Sequence, residues 1–196
     1  MQAHDQYDEH DLIKRARTGN GDAFEQLMAV HERRKYAVSL RMCGNREDAQ
    51  DCLQEAMIRI FKALPGFKYQ SAFGTWAYRI TMNTCLDELR RRKSRAGVSL
   101  DALLDNGWSP SDPSEVPEDH AVRSEQRRTL EAAIASLHED MRAAIVLRDV
   151  QGFSYEEIAK ILDTNIGTIK SRISRGREKL RDDLLKNPEL FGRRHV

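Results

Sequence analysis

The sequence predicts an all-α protein of two small helical domains joined by a flexible acidic linker, the second domain containing a helix-turn-helix. Three observations carry that prediction. Apolar residues recur at steps of three and four along most of the chain, and no convincing run of strict alternation interrupts them. Over residues 94–122 the composition shifts to Gly, Ser, Pro and acidic side chains, with Pro110, Pro113 and Pro117, which suits an extended connection with little packing of its own. Beyond it, SYEEIAKILDTNIGTIKSRISRGREKL (154–180) reads as two short helices around a tight turn, the second strongly basic. The first domain is therefore assigned to 1–93, the linker to 94–122 and the second domain to 123–196. At 196 residues the chain is long enough for two small domains, each with its own core.

Taken in order, Leu12, Ile13, Ala16, Phe24, Leu27 and Met28, then Tyr36, Ala37 and Leu40, mark helix over about 10–43. Gly19-Asn20-Gly21 interrupts it and Gly44-Asn45 closes it. A helix over 48–64 follows and stops at Pro65-Gly66, and another over 73–93 carries Trp76, Ile80, Cys85, Leu86 and Leu89. After the linker, Leu130, Ala133, Ile134 and Leu137, then Met141, Ala144, Ile145 and Val150, place two more helices.

The helix-turn-helix has its punctuation written in it. Ser154 caps the first helix, Glu157 three residues on completes a capping box, and Ile158, Ala159, Ile161 and Leu162 supply buried contacts. Asp163, Thr164 and Asn165 favour side-chain to backbone bonds over helix continuation, and Asn165 is placed to cap a second helix from about Ile166. On that helix Ile166, Ile169, Ile173, Gly176 and Leu180 form the buried stripe. Lys170, Ser171, Ser174 and Arg175 share the outward face, bordered by Thr168, Arg172 and Arg177. Arg and Lys can donate to guanine or phosphate, and short hydroxyl side chains allow a close approach to base edges, so the patch suits a DNA groove. A solvated amphipathic helix shows the same basic face when read alone.

Charge supports this by its distribution, not its sum. The chain has 32 Lys and Arg against 31 Asp and Glu, a net charge of +1. Positive charge gathers in Arg90, Arg91, Arg92, Lys93 and Arg95 and again over 170–181, while 101–119 is mostly acidic. No apolar run approaches a membrane span and the opening MQAHDQYDEHD lacks a signal-peptide core, so membrane insertion is not expected and a cytoplasmic location is. Cys43, Cys52 and Cys85 are odd in number and lack CxxC spacing, which reads as reduced structural thiols. With six scattered histidines and no HExxH, neither a metal site nor a cofactor is expected.

Three blocks together resemble the extracytoplasmic-function sigma factors of bacterial RNA polymerase: the helix 48–61 with Gln54-Glu55, TWAYRITMNTCLDELRRR (75–92), and LRDVQGFSYEEIAKIL (147–162) leading into GTIKSRISRGREKLR (167–181). The resemblance spans about residues 10–185. It implies that 1–93 binds core polymerase and recognises and melts the minus-ten element, and that 123–196 reads the minus-thirty-five element. Polymerase contact would fall on Asp48, Asp51, Gln54, Glu55 and Phe61, with Leu53, Ala56, Met57, Ile60 and Phe61 able to face the core. The minus-ten strand would meet Tyr69, Phe73, Trp76, Arg79, Asn83, Asp87, Arg90 and Arg91, a mixture of stacking surfaces and cations that single strands require. Tyr78 adds an aromatic, while Phe73 and Trp76 equally suit core packing.

Lys170, Ser171, Ser174 and Arg175 match the family's base-facing positions, and Thr168, Arg172 and Arg177 its phosphate anchors. His138 departs from the proline common at that helix start. The acidic linker residues Asp101, Asp105, Asp112, Glu115, Glu118 and Asp119 would thread the polymerase's RNA-exit path, or serve as a disordered spacer. The resemblance also implies an anti-sigma partner and no catalysis by the chain itself. Read from the helix-turn-helix alone, a stand-alone repressor or activator, or a recombinase or nuclease carrying such a module, stays open; no catalytic constellation for the latter is visible.

Overall fold

The computed structural model describes residues 9–95 and 117–191. Helices and their caps account for nearly all of it. α1 (Glu9–Arg17) and α2 (Gly21–Cys43) are separated where Asn20 caps α2, its Oδ1 accepting from the Ala23 N–H at 2.9 Å. α2 stops at Gly44, whose φ of +83° lets its N–H reach the Leu40 carbonyl at 2.8 Å. α3 (Arg46–Ala63) starts two residues before the expected 48, because Asn45 takes the cap and accepts from the Asp48 N–H. A 3-10 turn at Leu64–Gly66 ends it, and α4 (Phe73–Arg95) follows.

The second domain opens with α5 (Pro117–Ser136), six residues earlier than expected; proline is well suited to a first helical turn, where its missing N–H has no partner to lose. α6 (Glu139–Ile145) runs on through a π-type turn at Val146–Val150. α7 (Tyr155–Ile161), α8 (Ile166–Leu184) and the short α9 (Pro188–Phe191) complete the described chain. The linker carboxylates Asp101, Asp105, Asp112 and Glu115 lie outside the described residues, and Glu118 and Asp119 fall in the first turns of α5.

Two cores form, but they are not one per domain as the sequence suggests. The first joins α1 to α4 through Leu12, Ile13, Leu27, Met28, Ile60, Leu64, Phe67 and Phe73. The second crosses the domain boundary: Val38, Met42, Tyr78, Met82 and Cys85 of the first domain pack with Ile134, Leu137, Ile145, Leu147, Ile158, Ile161 and Ile169 of the second. Polar contacts stitch the seam. Arg142 donates from Nη1 to the Met42 carbonyl at 2.5 Å and from Nη2 to the Ala135 and Leu137 carbonyls. Tyr78 donates its hydroxyl to Gln151 Oε1 at 3.1 Å while its ring meets Phe153 edge-on, and Arg41 pairs with Glu131 at 3.1 Å. The chain is thus closed, its two domains sharing the second of these cores.

Candidate nucleic-acid interface

The helix-turn-helix forms as its sequence prescribes. Ser154 Oγ accepts from the Glu157 N–H at 3.2 Å and Glu157 Oε2 accepts from the Ser154 N–H at 2.8 Å, a complete capping box. Asp163 takes a φ of +49° at the turn, a conformation aspartate tolerates better than most side chains. Asn165 Oδ1 then accepts from the Thr168 N–H at 2.7 Å to start α8. Ile169, Ile173 and Gly176 seat α8 in the core. Gly176 is required by the close crossing of α6, since a Cβ there would lie 2.8 Å from Ile145 Cγ1. Ile166 departs from the expected stripe: at the first turn, where no neighbour covers it, it remains 38% exposed.

The outward face of α8 is where the sequence places it. Lys170, Ser171, Ser174 and Arg175 are exposed, and neither Lys170 nor Arg175 enters an ion pair among the described residues. The bordering cations are tied down. Arg172 donates to Asp140 at 2.7 Å, and Arg177 donates from Nε to Asp149 at 3.1 Å. A groove beside them is lined by Tyr155, Lys170, Ile173, Ser174, Arg177, Glu178 and Arg181. Two free cations with small hydroxyl neighbours leave this face positive and close to any surface it meets.

The face of the first domain is assembled differently. Tyr69 is 40% exposed with a φ of +56°, and its ring lies against Phe67, His10 and the Arg17 guanidinium. Trp76 is half-buried against Phe67 and Phe73. Phe73 is a correction: only 2% exposed, it supports the aromatic cluster from beneath and has no open face to stack on, because the start of α4 turns it inward onto His31 and Phe67. Tyr78 is corrected likewise, since it is spent on the seam with Gln151 and Phe153.

Arg79 is exposed but reaches across to Asp163 in the helix-turn-helix at 3.5 Å, and Arg90 approaches Asp140 at 4.0 Å. Arg91 pairs with Glu88, Asp87 with Arg59 at 3.2 Å, and Asn83 is exposed. Beneath this block lies a feature the sequence did not flag. Lys35 is fully buried with its ammonium unpartnered by any hydrogen bond, 5.5 Å from the Tyr78 ring centroid and 6.0 Å from that of Phe73. Burial pushes it down to about 7, offset in part by Glu9.

On α3, Asp51 and Gln54 are exposed while Asp48 is half-buried, held by Asn45 and Arg92. Hydrogen bonds from Arg92 and Asn45 hold its carboxyl below the usual range against the opposing effect of burial. Glu55 pairs with Arg59 at 2.8 Å. Phe61, read as a polymerase contact that could also face the core, is 39% exposed with its ring edge-on to Phe24, and Ile58 beside it is 42% exposed. An apolar and acidic strip therefore runs along this helix. Cys43, Cys52 and Cys85, unrelated in spacing, come together where α2, α3 and α4 meet: their sulfurs all lie within 4.8 Å of one another.

Two family models match separate parts of the chain. The family model described as Sigma-70 region 2 matches residues 27–95, and that described as Sigma-70, region 4 matches 127–180. The ECF RNA polymerase sigma-E factor of Escherichia coli strain K12 is 38% identical over 174 residues, 86% of this chain and 90% of that one. The RNA polymerase sigma-H factor of Pseudomonas aeruginosa is 35% identical over 179 residues, 89% and 93%. The ECF RNA polymerase sigma factor SigE of Mycolicibacterium smegmatis is 38% identical over 171 residues, and the chain spans 63% of that relative's length. Among solved structures, the sigma factor RpoE in complex with the anti-sigma factor NepR from Bartonella quintana superposes with a TM-score of 0.66 at 26% identity, covering 82% of this chain and 96% of that one.

Proposed function

The chain belongs to the extracytoplasmic-function sigma factors of bacterial RNA polymerase, and on that premise we propose that its two faces divide promoter recognition between them. It binds core RNA polymerase, directs it to specific promoters and promotes opening of the DNA. Lys170, Ser171, Ser174 and Arg175 read the minus-thirty-five duplex, and Arg172 and Arg177 hold its phosphates once released from Asp140 and Asp149. Tyr69, Trp76, Asn83 and the cations of α4 hold the separated minus-ten strand, with Phe73 as their support. The strip of Asp51, Gln54, Glu55 and Phe61 docks on the polymerase. The chain performs no reaction of its own; binding energy from these contacts offsets base unpairing, and the chemistry stays in the polymerase, in the cytoplasm. Among the described residues no helix is long and apolar enough to cross a membrane.

The observation that carries this reading is the exposed quartet, its two cations entering no ion pair among the described residues, on a helix whose caps and core seat are complete. The closed arrangement adds a requirement. Centres of the two promoter elements lie about 25 base pairs apart, roughly 85 Å of B-form duplex at 3.4 Å per pair. A compact body of this length is only about 40 Å across. The seam must therefore part before both elements are held at once. An anti-sigma factor, such as the one bound to the structural relative, fits here as a protein that governs that parting.

Run-off transcription tests the proposal. Purified chain, core polymerase and genomic promoter fragments should yield discrete transcripts that neither protein gives alone. Tight operator binding without polymerase, and no transcript with it, would overturn the reading in favour of a stand-alone repressor or activator.

A further inference from the structure

Three thiols from three helices converge in the first domain. Cys43 ends α2, Cys52 lies in α3 and Cys85 in α4. The Cys43 S–H donates to Cys52 Sγ at 3.5 Å, Cys85 approaches Ser39 Oγ at 3.7 Å, and all three sulfurs fall within 4.8 Å of one another. Cys52 and Cys85 are buried and Cys43 is half-buried, so the cluster is enclosed. None of the roles proposed for the promoter or the polymerase uses these residues.

A disulfide would join two of the sulfurs and leave the third without a task. Three-way closure points to an ion instead. With a metal–thiolate bond of about 2.3 Å, trigonal coordination sets sulfurs about 4.0 Å apart, between the 3.5 Å separation of Cys43 and Cys52 and the 4.8 Å within which all three sulfurs fall. No His, Asp or Glu joins the group among the described residues, so the four-coordinate set that Zn²⁺ prefers is incomplete. Thiolates select soft ions.

The surroundings are cationic on two sides. Arg142 carries a buried Nε with no acceptor and donates to the carbonyl of Met42, the residue before Cys43. Arg92, although paired with Asp48 and Glu88, also favours the thiolate of Cys52. Both guanidiniums would offset the negative charge of a trithiolate complex.

We propose that Cys43, Cys52 and Cys85 form a three-coordinate site for a soft monovalent d10 cation, Cu(I). Binding replaces three S–H protons: the trithiol and Cu⁺ give a complex of charge −2 and release three H⁺, with no change of oxidation state. The site abuts the seam, since Cys43 follows Met42, whose carbonyl accepts from Arg142.

The test uses the reduced full chain under anaerobic conditions, competing for Cu(I) against a chromogenic chelator. One Cu(I) per chain should leave the chelator, and X-ray absorption should show three sulfur neighbours at about 2.3 Å. Cys43→Ser, Cys52→Ser and Cys85→Ser should each weaken retention at least tenfold, with circular dichroism confirming the fold. No transfer from the chelator, equal transfer to the triple serine variant, or preferential retention of Zn²⁺ would each overturn the site. Should Cys85→Ser fail to fold, absorption on the unaltered chain still decides, because two sulfur neighbours in place of three overturn the proposal.

Discussion

α8 and α4 both present cations toward the proposed DNA, yet they stand in opposite states. On α8, Lys170 and Arg175 are exposed and enter no ion pair among the described residues. On α4, Arg79 is taken by Asp163, Arg90 leans to Asp140 and Arg91 pairs with Glu88, while Tyr78 and Phe73 are buried. The duplex-reading face is thus ready in the closed chain, and the strand-holding face is partly engaged by the other domain. On the proposed reading an order of events follows: base-edge contact by Lys170 and Arg175 needs no rearrangement, the phosphate contacts need only local release of Arg172 from Asp140 and Arg177 from Asp149, and strand capture waits for the seam to part.

The largest effect expected from breaking this asymmetry comes from the free cations. Lys170→Ala with Arg175→Ala should lower promoter-directed transcription between about thirtyfold and about ten-thousandfold, since two base-edge contacts at about 1–3 kcal/mol each are lost. Polymerase pull-down should be unchanged; joint loss of docking would show that the two surfaces are misassigned. Gln54→Ala with Glu55→Ala should do the reverse, impairing pull-down while duplex binding by α8 persists.

Next is the seam itself. Arg142→Gln removes charge-assisted bonds to backbone carbonyls on both sides and should weaken closure by about 1.5–3 kcal/mol. Small-angle scattering reads this as a larger radius of gyration, and unchanged scattering would place the strength of the seam in its apolar core alone.

Lys35 gives a smaller effect with a distinctive pH signature. Its folded value near 7 lies below the ordinary 10.5, so between those limits the unfolded chain binds more protons and stability rises with pH. Lys35→Met should flatten that rise in urea melts and add about 1–3 kcal/mol at neutral pH. A slope unaltered by the substitution would assign the pH dependence elsewhere. Arg79→Ala should have the least effect, under about 1 kcal/mol, because its pairing with Asp163 is between exposed groups.

Local features were legible from the residues, and long-range ones were not. The capping box of Ser154 and Glu157, the Asn165 cap and the outward quartet of α8 each depend on neighbours within five positions, and each forms as read. The seam depends on Val38, Met42, Tyr78 and Met82, which satisfy a helical stripe whether they meet their own domain or the other. Periodicity tells that a face is buried, not by what. The same blindness hid the thiol cluster, whose members are separated by 9 and 33 positions in sequence and share no spacing motif. One signal was available: Cys43 and Cys52 flank the tight turn at Gly44-Asn45, which returns α3 along α2. Phe73 was ambiguous for a related reason, since an aromatic at the start of a helix can turn either way and only the ring of His31 and the Phe67 side chain decide it.

The ends of α4 and α5 carry a final consequence. Arg95 and Pro117 are separated by 22 peptide steps, which bond geometry limits to about 75 Å whatever path they take. Once the seam parts, that length is a ruler. It sets the widest gap the two domains can bridge, and so the longest promoter spacer they can share; trimming it by three residues should shorten the tolerated spacer by about three base pairs at 3.4 Å per pair.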